Sequence, residues 1–277
     1  MNSGSEPCKL EVGEETISLS NDLVTITYTT LTGTLSMSTR EGDILFTKAY
    51  IQVHSDRGVY DSRRMVYKSI SSLDFQDKRG EGKAIVIRLQ DTEKTAEVNV
   101  RFSMVRSVPG YTCIVQVKNR EGSVRIKSLD PFVQNVSDSS KIHTGRNGQE
   151  LRFFKNGFHS WELTQALPLS RGVNLSHLFS VLTNKNTGQS LVLGFVTSME
   201  QLTEITFLGG ENNEKILEQL RASSLADNIL LPEKQTAVSE ELLLLAGCDG
   251  LGRQQRRRGE VQPARSEAIP QVDHGAV

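Results

Sequence analysis

At 277 residues the chain is long enough to bury one large core or two smaller ones. Its 32 basic and 33 acidic side chains leave a formal net charge of -1, so no bulk field draws it to nucleic acid or to an anionic membrane. Apolar runs such as Leu242 to Ala246 fall far short of the ~18 residues that span a bilayer, and Met1 to Pro7 lack a basic n-region and an apolar h-region; neither a membrane helix nor a secretory signal is expected, and the cytoplasm is the default location.

Residues 1–9 read as a flexible lead. From residue 10 onward, apolar and polar side chains alternate with a period of two, the signature of strands with one buried face. The runs begin at Leu23 to Thr29 and continue at Ala49 to Val53, Ala84 to Leu89, Ala96 to Val105, Tyr111 to Val117 and Val124 to Leu129. Between them stand turn signals at Thr32-Gly33, Glu41-Gly42-Asp43, Arg79-Gly80, Pro109-Gly110 and Glu121-Gly122. A strand-like Leu151 to Phe154 follows. The second half repeats the pattern at His177 to Thr183, Ser190 to Val196, Gln201 to Leu208, Lys215 to Arg221 and Thr236 to Leu245. Asn184 to Gly188 reads as a hairpin loop, and Asn212-Asn213-Glu214 as another. So many strands without a helical stripe predict an all-β fold, a large antiparallel β-sandwich of two sheets over residues 10–249.

From Gly250 to Val277 both periodicities vanish, and the segment holds five arginines and no lysine. It reads as an irregular or disordered tail. An abrupt change of composition directly after a strand is what a shifted reading frame near the end of a gene produces. Arg253, Arg256, Arg257 and Arg258 without interleaved aromatics are too little for a nucleic-acid arm.

Cys8, Cys113 and Cys248 are too scattered for a disulfide framework or a zinc site. His54, His143, His159, His177 and His274 have neither triad nor metal-ligand spacing, so no metal and no cofactor is expected. Asp56, Arg57, Asp61, Arg63 and Arg64 surround Gly58 in a mixed-charge loop that reads as a solvated face.

Chemistry is most concentrated in Phe153 to Glu162, which contains the single tryptophan, Trp161. Asn156-Gly157 suits a tight turn with positive φ, after which Phe158 and Trp161 project large apolar faces. The axial C–H groups of a galactose ring make an apolar patch that packs on such a face, and Asn156, His159 and Glu162 are placed to take hydroxyls. The bland alternative is a core or interface aromatic.

Asn156-Gly157-Phe158-His159-Ser160-Trp161-Glu162 resembles the Asn-Gly-Tyr/Trp-Gln-Ser-Trp-Ser/Gly motif in the N-terminal β-supersandwich of glycoside hydrolase family 36 (melibiase-type) α-galactosidases. Downstream, the run from Leu182 to Phe195 is similar to that family's Leu-Thr-x-Lys-x-x-Gly-x-Ser-Leu-x-Leu-Gly-Phe stretch. The likeness covers residues 10 to 249 and is strongest from Phe153 to Ser198. It implies a parent enzyme of three parts: this β-domain, a (β/α)8 barrel and a small β-domain. In the family the barrel hydrolyses terminal α-D-galactosides with two aspartates, a retaining pair about 5–5.5 Å apart. The nucleophile's Lys-Trp-Asp segment has no counterpart here, since Trp161 is followed by Glu162. Residues after 249 are too few for a barrel of about 250 residues.

The resemblance places Trp161 against galactose, with Asn156 and His159 as neighbouring contacts, although His159 and Glu162 depart from the family's Gln and Ser/Gly. Expected partners are therefore an α-galactoside or galactose-containing oligosaccharide and the missing catalytic barrel, and the chain is expected to be inactive alone. A free-standing carbohydrate-binding module is the alternative reading. A third is a structural β-domain that mediates contacts in a homo-oligomer, for which no motif speaks.

Overall fold

The computed structural model describes residues 8–158, 162–210 and 216–247. Within them the chain forms two antiparallel sheets of ten strands each. It begins in sheet one with β1 (Lys9–Val12), β2 (Thr16–Ser20), β3 (Val24–Thr29), β4 (Thr34–Thr39), β5 (Ile44–Ser55) and β6 (Gly58–Asp61). After a single 3-10 turn, Ser62–Arg64, it passes to sheet two for β7 (Val66–Asp77), β8 (Gly80–Gln90), β9 (Ala96–Val105) and β10 (Gly110–Asn119). From there it alternates: β11 (Val124–Asn135) in sheet one, β12 (Leu151–Lys155) and β13 (Gln165–Pro168) in sheet two, β14 (Gly172–His177) in sheet one. The last six are β15 (Phe179–Asn184) and β16 (Ser190–Phe195) in sheet two, β17 (Leu202–Gly209) and β18 (Leu217–Leu231) in sheet one, and β19 (Thr236–Val238) and β20 (Leu242–Gly247) in sheet two.

Alternation becomes burial in the expected way. Val98, Val100 and Phe102 on β9, Cys113, Val115 and Val117 on β10, and Ile205 and Phe207 on β17 all point inward and are essentially inaccessible. Aromatic pairs lock the interior: Phe46 meets Phe132 edge-on at 5.2 Å, and Phe102 meets Tyr111 at 5.7 Å. Among the described residues no helix is long and apolar enough to cross a membrane.

Two expected strands are broken in an informative way. His177 to Thr183 reads as one strand, yet His177 ends β14 in sheet one and Phe179 starts β15 in sheet two. The corner is Leu178, held at φ 65°, a conformation that costs an L-residue about 1–2 kcal/mol. Its N–H donates to Thr203 O at 3.2 Å, and its carbonyl accepts from Phe195 N at 2.8 Å, so one residue is fastened to both sheets. Likewise Thr236 to Leu245 divides at Ser239–Glu241. There the buried Glu240 carboxylate accepts the backbone N–H groups of Met199, Glu200 and Gln201 at 2.9, 2.7 and 3.0 Å.

Beyond the runs expected from sequence the chain forms β1, β2, β4, β6, β7, β13 and β14; β2 and β4 do alternate between buried and part-exposed residues, whereas β7 does not. β7 carries eleven paired residues yet no buried one, because it pairs with β8 alone among the described strands and forms an edge of sheet two. At the amino end the ordered fold already includes Cys8, which is buried and whose Sγ contacts Met104 O at 3.3 Å, and Lys9 in the first ladder. The expected tail, 250–277, lies outside the described residues.

Candidate functional site

The motif segment is delivered by β12. Phe153 turns into the core and meets Phe207 of sheet one at 5.5 Å, whereas Phe154 turns outward and stacks on Phe179 at 5.3 Å. With one ring clamped on each side, the strand has little freedom to rotate, and Asn156 arrives at a fixed place. Its backbone N–H donates to Ser176 Oγ at 2.8 Å and its carbonyl accepts from His177 N at 3.0 Å. Its side-chain Nδ2 donates to His177 O at 2.9 Å, and Oδ1 accepts from Thr164 Oγ1 at 3.4 Å. Asn156 thus ties the turn to β14 through its backbone and its side-chain Nδ2, and to Thr164 through Oδ1.

The turn that follows corrects the expected backbone. Neither Asn156 nor Gly157 has positive φ. Glycine is required at 157 for space instead: a Cβ there would sit 2.4 Å from Glu162 O and 2.7 Å from Glu162 Cβ. The loop closes on itself through Phe158 N donating to Glu162 Oε2 at 2.8 Å and Gly157 N donating to Thr164 Oγ1 at 3.3 Å. Phe158 is half exposed, and its ring lies 5.1 Å from the His177 imidazole. His159 and Trp161, the other two candidate sugar contacts, lie outside the described residues.

His177 opens a row of polar side chains across the outward face of sheet one. Register places it opposite Glu204 on β17, and Glu204 opposite Ser223 on β18. Arg221, two residues before Ser223, reaches Asp130 on β11, and Asp130 also meets His54 on β5. The Arg221 Nη2 and His54 Nε2 atoms are 2.7 and 3.1 Å from Asp130 Oδ2. Asp130 is wholly inaccessible although it points to the outward face, while its two partners are about 30% exposed. Despite these distances neither carboxylate oxygen is aligned for a hydrogen bond.

Spacing along the chain hides this cluster, because 54, 130 and 221 are joined only by strand register. The one local signal is a charged residue inside the apolar run Leu129 to Val133.

The mixed-charge loop is likewise more built than a solvated face. Asp61 is 5% exposed, and its carboxylate accepts from Arg63 N and Nε at 2.9 Å each, from Arg63 Nη2 at 2.5 Å and from Gln52 Nε2 at 3.0 Å. Hydrogen bonds from Arg63 and Gln52 outweigh the upward push of burial and hold its carboxyl below the usual range. The Arg63 guanidinium covers the Tyr50 ring at 3.5 Å. Asp56, Arg57 and Arg64 are exposed as expected. Among the described residues no three His, Cys, Asp or Glu side chains converge as metal ligands would.

No protein-family model matches the chain, and no curated protein matches it in sequence. Solved structures do. The galactosidase domain of the α-galactosidase-sucrose kinase AgaSK superposes over 87% of this chain and 42% of its own, at 14% identity and a TM-score of 0.60. AgaB, a GH36 α-galactosidase from Geobacillus stearothermophilus, gives 87% and 41% coverage, 12% identity and a TM-score of 0.61. An α-galactosidase from Lactobacillus brevis gives 89% and 42% coverage, 12% identity and a TM-score of 0.61. The chain therefore spans about two-fifths of the length of these structures. At such identities the likeness is one of fold: the two sheets share the architecture of the matching two-fifths of these α-galactosidase structures.

Proposed function

We propose that these residues form the accessory β-domain of an α-galactosidase-type glycoside hydrolase, working beside a catalytic barrel that they do not themselves contain. The observation that carries this reading is the fold likeness, which takes in most of this chain but only two-fifths of each enzyme. The motif geometry supports it, because the described ends of the motif are held, Asn156 by His177 and Phe158 by Glu162. In this reading Trp161 forms an apolar wall for terminal galactose, His159 lies beside it, and Asn156 holds the turn. The two glycosidic carboxylates belong to the barrel.

The test is direct. Incubated with p-nitrophenyl α-galactoside, the purified chain is expected to release no p-nitrophenol above a buffer blank, and co-expression with a barrel encoded next to it is expected to restore release. Turnover by the chain alone would refute the assignment. The free-standing binding module is separated by titrating galactose against the emission of Trp161, the single tryptophan: a saturable change without any barrel favours the module.

A further inference from the structure

We propose that the outward face of sheet two, across β12, β15, β16 and β20, is the surface on which the helical exterior of the catalytic barrel packs. The proposal rests on the accessory-domain reading above and deepens it, by naming the face of this chain that the partner covers.

An antiparallel sheet with one face in water alternates apolar-in with polar-out, and sheet one does so: Thr25 and Thr27 on β3, Glu204 and Thr206 on β17 and Arg221 on β18 turn outward. Sheet two departs from that rule in its middle. Leu182, Leu191, Leu193, Leu242 and Leu244 fill its inner side, yet the alternate, outward positions are Val181 on β15, Val192 on β16 and Leu243 and Leu245 on β20. Register sets Val181 beside Val192, Val192 beside Leu245, and Gly194 beside both Phe179 and Leu243. Phe179 in turn stacks on Phe154 of β12 at 5.3 Å. A strand that is apolar on both sides is the pattern of one buried on both sides, but these outward side chains all keep part of their surface accessible. Sheet one covers the inner side, and the described strands supply no third layer for the outer one.

Charge, chain length and position select the occupant. None of the outward residues just named on sheet two is ionisable, so a partner closes over them without desolvating a charge. Charges stand at the rim: Arg79, on the β7–β8 turn, meets Glu241 at 3.5 Å just before β20, and Arg152 lies at the far end of β12. The match takes in 41–42% of each α-galactosidase compared, and in an enzyme so built the remaining three-fifths needs a face on this fold. Sheet one would set Glu204, Arg221 and His54 against it at a desolvation cost, whereas sheet two would not. At ~4.8 Å spacing the four strands span about 14 Å, room for one helix of a barrel's outer ring, about 10–12 Å across, and the flank of the next. The patch is also continuous with the motif, since Phe154 lies two residues before Asn156 on the same strand and its exit. A body resting on the patch therefore stands beside the start of the motif.

The test uses the full chain, its Val192→Lys and Leu243→Lys variants, and Thr25→Lys on sheet one as the control. Alone, the parent is expected to raise the fluorescence of the apolar dye anilinonaphthalene sulfonate and to sediment as a continuum of associating species. Either sheet-two lysine should cut both effects severalfold and Thr25→Lys neither. All three should melt within about 2 °C of the parent, because the altered side chains point outward. Co-expressed with the barrel encoded next to it, the parent should lose its dye response and hold the barrel through purification, and each sheet-two lysine should reduce the barrel held about tenfold. Lysine variants that hold the barrel as the parent does would overturn this face and leave the proposed function standing. So would a parent that is monomeric and dark to the dye, or a sheet-two lysine that melts many degrees lower, since this chain itself then covers the face. A discrete dimer that the lysines abolish would make a second copy the occupant and refute the barrel's place there. A parent that binds the dye yet holds no barrel would defeat the proposed function, and this proposal with it.

Discussion

Gly157→Ala is the most searching substitution in the candidate site. The new Cβ would lie 2.4 Å from the Glu162 carbonyl oxygen, about 1 Å inside a comfortable contact. The obstacle is backbone, so it cannot swing away as a side-chain tip would, and Glu162 is itself held by accepting from Phe158 N. Because φ at 157 is not positive, alanine brings no conformational penalty there and the whole effect is steric. Overpacking of this sort costs about 1–3 kcal/mol, and a domain of this size loses about 2–4 °C of Tm per kcal/mol. Thermal melts followed by far-UV circular dichroism should therefore drop by several degrees, with Trp161 emission, four residues on, changing in the native state. Gly42→Ala provides the contrast: nothing lies within 4 Å of its Cβ, but its φ is +94°, so its cost is conformational and Trp161 should not respond. A Gly157→Ala protein with parental Tm and parental emission would refute the claim that closeness to Glu162 shapes the turn.

Three further outcomes follow from the fold. Burial raises the Glu240 carboxyl, but the Thr197 hydroxyl and the backbone N–H groups of Glu200, Gln201 and Met199 outweigh it and leave the group lowered. A carboxyl lowered in the fold stabilises it above the unfolded-state value of about 4.3 and loses that contribution as pH falls through the folded-state value; urea melts below pH 5 should show a shallower decline for Glu240→Gln than for the parent. Cys113 is wholly buried, and desolvation pushes its thiol well up, so mass spectrometry after native iodoacetamide treatment should find it unlabelled, with labelling only in denaturant. Lys94 holds φ 63° in the exposed turn between β8 and β9. Lys94→Gly should relieve about 1–2 kcal/mol of left-handed strain against roughly 0.5–1 kcal/mol of chain entropy, raising Tm by a few degrees in calorimetry; a fall would contradict that balance.

The period of two was enough to establish an all-β sandwich, because a strand with one buried face writes its orientation into neighbouring residues, as Val98, Val100 and Phe102 do on β9. It was not enough where both faces of a strand are alike, as in the exposed β7, or where the chain changes sheets at a single residue, as at Leu178, since nothing in an apolar run announces a positive φ. The motif from Asn156 to Glu162 was visible as unusual, but the reason for its glycine was not: a 2.4 Å approach to Glu162 exists only once the loop has closed. Most hidden was the cluster of His54, Asp130 and Arg221, and the burial of Asp61 beneath Arg63 beside it. Sequence by itself determined which residues turn inward, because that depends on near neighbours. Which charged groups meet on the outward face was decided by strand register alone, the physical quantity that joins residue 54 to 130 and 130 to 221 and leaves no trace in their spacing.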